Sequence, residues 1–135
     1  MSKHEGGCLC GAVRFSFDVT PAMVAACHCT DCRRQSGSAY SMNVGVPTAA
    51  LNLSGKPKVF EHPGGSGQTV HRHFCGDCGS PIASEIDVMP GMSFVKAGTL
   101  DDPSWVKPGV EVWCDSKLAW STLSGDWPKV ARNPG

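Results

Sequence analysis

Seven of the eight cysteines fall into three tight groups, and this grouping constrains the fold more than any other feature of the chain. Cys8 and Cys10 form a C-x-C pair and Cys75 and Cys78 a C-x-x-C pair. Cys27, Cys29 and Cys32 form C-x-C-x-x-C, and Cys114 stands alone. The start of the chain, MSKHEGG, lacks the apolar stretch of a secretory leader. A cytoplasmic location is therefore expected, where thiols stay reduced and clustered cysteines point to metal or catalysis rather than to disulfides.

The two pairs supply four thiolates, the number that closes a tetrahedral structural zinc site. Both are set among glycines, in GGCLCGA and FCGDCGS, which let the backbone turn around a metal. A redox reading of Cys75 and Cys78 requires a helix after the motif. GSPIASEI has a proline and no helical period, so that reading is disfavoured. The triplet in AACHCTDCRRQSGS is one ligand short of a closed site. Three protein ligands with an open position are how catalytic zinc is held. Closure by His28, His71, His73 or Cys114 is the alternative. His28 lies between two ligand cysteines, so on an extended segment its side chain points away from theirs.

Glycine (16) and proline (10) are plentiful among the 135 residues, and strand signals dominate. AVRFSF alternates, with Val13, Phe15 and Phe17 on one face. MVAACH, YSMNVGV, KVFEH, TVHRHFC, IASEI, MSFVKAG and VEVW follow, each bounded by turn formers. One helical turn is expected at TDCRRQS, capped by Thr30 or Asp31 and stopped by Gly37. Another is expected at DSKLAW. The glycine-rich stretch 62–68 reads as a hairpin loop. The expectation is an all-β domain of short antiparallel strands, stapled by zinc because its core is small. It covers residues 6–124, and 125–135 form a C-terminal tail.

Twelve basic and twelve acidic side chains balance, which disfavours nucleic acid as a partner. No apolar run reaches the roughly 18 residues of a membrane span, so no membrane partner is expected. Exposed strand edges leave a homodimer possible.

GGCLCGAVRF, CHCTDCRRQSGS and FCGDCGSPI, in this order, resemble the glutathione-dependent formaldehyde-activating enzyme family, also called the GFA or centromere-protein-V family. VEVWCDSKLAW resembles its late strand and terminal tryptophan. The resemblance implies a β-tent fold. It also implies two zinc ions per chain, one structural at Cys8, Cys10, Cys75 and Cys78, the other catalytic at Cys27, Cys29 and Cys32. It implies a carbon–sulfur lyase resembling S-(hydroxymethyl)glutathione synthase, with a small thiol such as glutathione and a small aldehyde as partners. Cys114 lies outside that zinc pattern and reads as a small buried residue on the last strand.

On this reading a thiol takes the open position of the triplet as its thiolate and attacks the aldehyde. Arg33, Arg34 and Ser36 are the candidates for holding the thiol's polar groups. His28 and His73 are the candidates for proton transfer, against an ordinary structural role. Trp113 and Trp120 either wall the site or pack in the core, and core is the expectation for a strand tryptophan. The competing function is a zinc-stabilised binding or scaffold module without turnover.

Overall fold

The computed structural model describes residues 3–132. The strands are β1 (His4–Gly7), β2 (Arg14–Phe17), β3 (Met23–Cys27), β4 (Ser41–Pro47) and β5 (Asn52–Ser54), followed by β6 (Lys58–Pro63), β7 (Thr69–Phe74), β8 (Pro81–Ile86), β9 (Met92–Lys96) and β10 (Val110–Val112). The helix α1 (Thr30–Ser36) interrupts them between β3 and β4. The result is the expected all-β class, with one helix and three short 3-10 turns among the described residues.

Seven strands form one sheet in the order β10-β3-β4-β9-β8-β7-β6, and β1-β2-β5 form another. Between the named strands pairing is antiparallel with one departure: β10 runs parallel to β3, with Val112 opposite Cys27. Val13 and the β2 residues Phe15 and Phe17, at 0–3% exposure, meet Val44, Val46, Ile82 and Val95 of the large sheet. This is the core, and each fully buried Val or Phe contributes about 1.5–3 kcal/mol through removal from water. The alternation expected of AVRFSF is therefore realised.

Two strands were not foreseen. β1 reads HEGG, which has no strand propensity. Pairing with β2 imposes its conformation, and a Cβ at Gly6 would lie 2.3 Å from the Thr99 carbonyl oxygen. Gly6 is thus demanded by close backbone approach. β5 is a three-residue edge strand, exposed throughout.

Within the segment expected as a tail, the described residues 128–132 are hydrogen-bonded to β10 and the residues that follow it. Glu111 N–H donates to Pro128 O, Val130 N–H to Glu111 O and Trp113 N–H to Arg132 O, at 2.9–3.0 Å. Trp127 Nε1 donates to Glu111 Oε2 at 2.7 Å. Apolar periodicity does not register this segment, because backbone groups and one buried carboxylate carry the attachment.

Because strand side chains alternate in direction, the large sheet has two distinct faces. Val44, Val46 and Val95 point into the core. Cys27, Ala25, Asn43, Phe94, Ser84, Val70 and Arg72 point to the other side, where a cavity lies.

Candidate functional site

The four-sulfur cluster joins two turns. Cys8 and Cys10 follow β1, while Cys75 and Cys78 lie between β7 and β8. Gly79 takes a left-handed φ of 81°, which only glycine adopts freely, and its N–H closes the turn onto Cys75 O at 2.8 Å. The four sulfurs lie within 4.8 Å of one another. A tetrahedral metal with bonds of about 2.3 Å to sulfur has sulfur–sulfur edges of about 3.8 Å. Cys8–Cys10 and Cys10–Cys75 measure 3.7 and 3.8 Å, so the spacing fits such an ion.

The polar surroundings of these sulfurs also fit. The Val13 amide donates to Cys8 Sγ at 3.2 Å and holds its pKa below the ordinary thiol value. The Ser80 hydroxyl and amide bring Cys78 down to about 5. For Cys10 the Ala12 amide favours the thiolate, but neighbouring Cys8, burial and the other two sulfurs prevail and push it up to about 12. The sulfurs thus compete for negative charge, and a divalent cation removes that conflict.

The triplet is built locally. Cys27 ends β3, Cys29 caps α1, and Cys32 lies in the first turn. The N-cap is Cys29 rather than Thr30 or Asp31: its Sγ accepts from Cys32 N–H at 3.2 Å. Gly37, in left-handed conformation at φ 67°, stops the helix as expected. The three sulfurs lie within 4.8 Å of one another, and among the described residues no fourth His, Cys, Asp or Glu joins the group.

Two buried cations stand behind the triplet. Arg72 Nη1 donates to Cys32 Sγ at 3.6 Å and Arg72 Nε to His62 Nε2 at 3.0 Å. An arginine only donates, so His62 carries its proton on Nδ1, 3.0 Å from Pro63 O. Lys96 Nζ donates to Ser41 Oγ at 2.7 Å, and burial lowers its pKa. Thiol hydrogen bonds from Cys27 and Cys29 bring Cys32 down to about 2, with Lys96 and Arg72 adding to the shift. Cys27 is driven strongly upward by Cys29, Cys32 and burial.

None of the residues considered for closing the triplet does so. His28 points away, as its position between two cysteines requires. It is fully buried, with Nε2 2.8 Å from Glu111 Oε1. Burial would raise the Glu111 pKa, but hydrogen bonds from Trp127, His28 and Lys117 hold it below the ordinary value. Cys114 is half-buried in a 3-10 turn rather than buried on the strand, and its Sγ donates to Glu111 O at 3.7 Å. His71 and His73 share one face of β7, opposite to Arg72. His71 meets Asp87 at 2.8 Å and His73 meets Glu85 at 3.0 Å. Neither His28 nor His73 lines the cavity beside the triplet.

That cavity has a volume of about 240 Å³ and is bordered by all three sulfurs of the triplet. Asp31 and Arg72 are the charged side chains lining it besides the cysteines. Arg33, Arg34 and Ser36 do not line it: Arg33 is half-buried, Arg34 is exposed, and Ser36 Oγ donates to Arg33 O at 3.4 Å. The cation at the cavity is Arg72, which strand alternation on β7 places opposite to the two histidines.

Trp113 and Trp120 also separate. Trp120 is 76% exposed, so it is not a core residue. Trp113 is a wall of the cavity. Its backbone is left-handed (φ 57°, ψ 40°), which costs a non-glycine residue roughly 1–2 kcal/mol. The loop 64–68 between β6 and β7 lies against its ring: a Cβ at Gly65 would come 2.4 Å from Trp113 Cη2.

An all-β frame carrying two convergent sulfur clusters, each able to hold a metal ion, defines the class: a β protein with clustered cysteines suited to metal. Residues 3–116 match the family described as glutathione-dependent formaldehyde-activating enzyme, and the chain belongs to that family. A crystal structure of a Rhodobacter sphaeroides protein shares the fold, with a TM-score of 0.60 at 20% identity. The alignment covers 93% of this chain and 98% of that one. Among the described residues no helix is long and apolar enough to cross a membrane.

Proposed function

We propose that the protein joins a small thiol, such as glutathione, to formaldehyde or a related aldehyde at the triplet, and catalyses the reverse cleavage. It would then be a carbon–sulfur lyase with one structural and one catalytic zinc. The observation that carries this reading is the position of the triplet: three convergent sulfurs, without a fourth protein ligand among the described residues, border a cavity. Family membership supports the same chemistry. A binding or scaffold module would be favoured by a side chain completing the triplet, and the described residues supply none.

Cys27, Cys29 and Cys32 would hold the catalytic zinc, which when bound favours the thiolate form of an incoming thiol. Arg72 and Lys96 set two positive charges against three thiolates, which lowers the cost of keeping negative charge in this buried place. The cavity brings thiol and aldehyde together and limits water. The sulfur forms a bond to the carbonyl carbon, and the carbonyl oxygen takes the proton that the thiol gives up. Asp31 lines the cavity one residue before Cys32 and would carry that proton from the thiol to the carbonyl oxygen. It takes the role that His28 and His73 are not positioned to fill. Arg33 and Arg34, on the outer side of α1, remain candidates for the carboxylates of a glutathione that extends out of the cavity.

Zinc-loaded protein should accelerate exchange between free glutathione and its formaldehyde adduct, followed by NMR line broadening. Cys29→Ser should reduce the acceleration by at least about a thousandfold, on the scale of losing metal-based charge stabilisation. Unchanged exchange in that variant would refute the proposal.

A further inference from the structure

Family chemistry requires room for one carbon beyond the sulfur, and this cavity offers far more. The triplet lies at one end of the cavity-facing side of β3, at Cys27, and Met23 marks the other end of the same strand. Four residues of strand at about 3.3 Å each place those ends roughly 13 Å apart. Strand registers assemble the far end: Met23 lies opposite Gly45, Gly45 opposite Phe94, Phe94 opposite Ser84, and Ser84 opposite Arg72, whose guanidinium turns away to Cys32, while Ile86 lies opposite Val70 beyond that row. Val88 and Met89, in the turn after β8, close it. Gly45 leaves its floor low: a Cβ there would lie 3.1 Å from Phe94 Cε1 and 3.3 Å from Met23 Cγ.

The two ends differ in chemistry. Asp31, Thr30 and Arg72 gather near the triplet, whereas Met23, Val70, Ile86, Val88, Met89 and Phe94 form an arm without a charged group. Arg72 is already engaged by Cys32 and His62. Glutathione carries two carboxylates and an ammonium group, and burying any of these in an apolar arm is costly without a partner. The charged thiol therefore belongs at the polar mouth between α1 and the loop 64–68. The arm is left for the other group on the bond-forming carbon.

We infer that the aldehyde partner carries a hydrocarbon chain of about four or more carbons, which lies in the arm between β3 and the turn after β8. This deepens the reading above and rests on it for the position of the sulfur. The step is the same addition: the thiol sulfur bonds to the carbonyl carbon, the carbonyl oxygen takes the thiol proton, and nothing is oxidised or reduced. Burial of each methylene tightens binding by about fourfold.

The test uses the zinc-loaded full chain and follows the tryptophan fluorescence on titration with hexanal and with acetaldehyde. Turnover of each aldehyde with glutathione is measured alongside. Hexanal should bind at least about tenfold more tightly than acetaldehyde. Ile86→Asn should remove most of that preference. Met89→Ser, in a surface turn, is measured beside it in case the strand substitution unfolds the sheet. Equal affinities, or a preference that survives both substitutions, would overturn the inference. A chain preference seen with hexane-1-thiol but absent with hexanal would overturn the assignment to the aldehyde. If hexanal binds preferentially but no aldehyde is turned over, the arm stands and the catalytic reading fails. If formaldehyde is turned over and hexanal is neither bound nor turned over better, the arm fails and the catalytic reading stands.

Discussion

The four-sulfur cluster takes its cysteines from two turns, with Cys10 and Cys75 separated by 65 positions, and leans on backbone amides and Ser80. The triplet takes all its cysteines from one six-residue stretch and leans on two buried cations from distant strands. The same ligand atom thus serves opposite ends. Closing a long loop removes conformational freedom from the unfolded chain, so metal at the first cluster stabilises the fold. The triplet closes almost no loop and adds little to folding. What the fold supplies there is environment: a cavity beside the sulfurs and buried positive charge from Arg72 and Lys96.

The largest expected effect separates the two clusters directly. Cys75→Ser should cost more than about 4 kcal/mol, the range reached by loss of a structural metal, and remove cooperative thermal unfolding. Cys29→Ser should lose one metal equivalent by elemental analysis while its melting temperature moves by only a few degrees. Similar losses of stability in both variants would erase the distinction between a staple and a working site.

A smaller effect tests what the surroundings of the triplet do. Arg72→Met removes one of the two cations and the hydrogen bond to Cys32, so the triplet should bind zinc about 10–100-fold more weakly, as for other outer-shell partners of metal ligands. The four-sulfur site should keep its affinity in the same chelator competition. Arg72→Lys should recover part of the loss, because the charge returns without the fork that reaches Cys32 and His62 together. An unchanged affinity in Arg72→Met would reduce Arg72 to a packing residue.

The parts of this contrast that could be read from sequence are the local ones. The period-two pattern of Val13, Phe15 and Phe17 states which face is buried. The position of His28 between two cysteines states that it points elsewhere. The cysteine spacing groups the ligands before any coordinates are known. Arg72 was within reach of the same alternation, since residues 70 and 72 must face away from 71 and 73. What alternation cannot supply is the partner: Cys32 approaches Arg72 only because β7 and α1 converge in space. The parallel pairing of β10 with β3, and the 127–132 segment on its other side, are non-local in the same sense. Trp113 is a further case, where a left-handed backbone turns a residue that reads as core onto the cavity wall.

The smallest effect belongs to the opposite face of β7, one residue from Arg72. Asp87 and Glu61 hold the His71 pKa above the ordinary histidine value, because both carboxylates favour the imidazolium. A group raised on folding contributes stability that is complete below its unfolded pKa of about 6.5. That contribution disappears as pH rises through the higher folded value. The exposure of the pair to solvent keeps it small. Between pH 6 and 9 the urea midpoint of the metal-loaded protein should therefore fall slightly more than that of His71→Gln. Metal content at both clusters should be the same in the two proteins. A parallel pH dependence would show that these carboxylates do nothing for folding through His71. A loss of metal from the triplet would show that the two faces of β7 are coupled, and the separation of site from scaffold would then fail at its narrowest point.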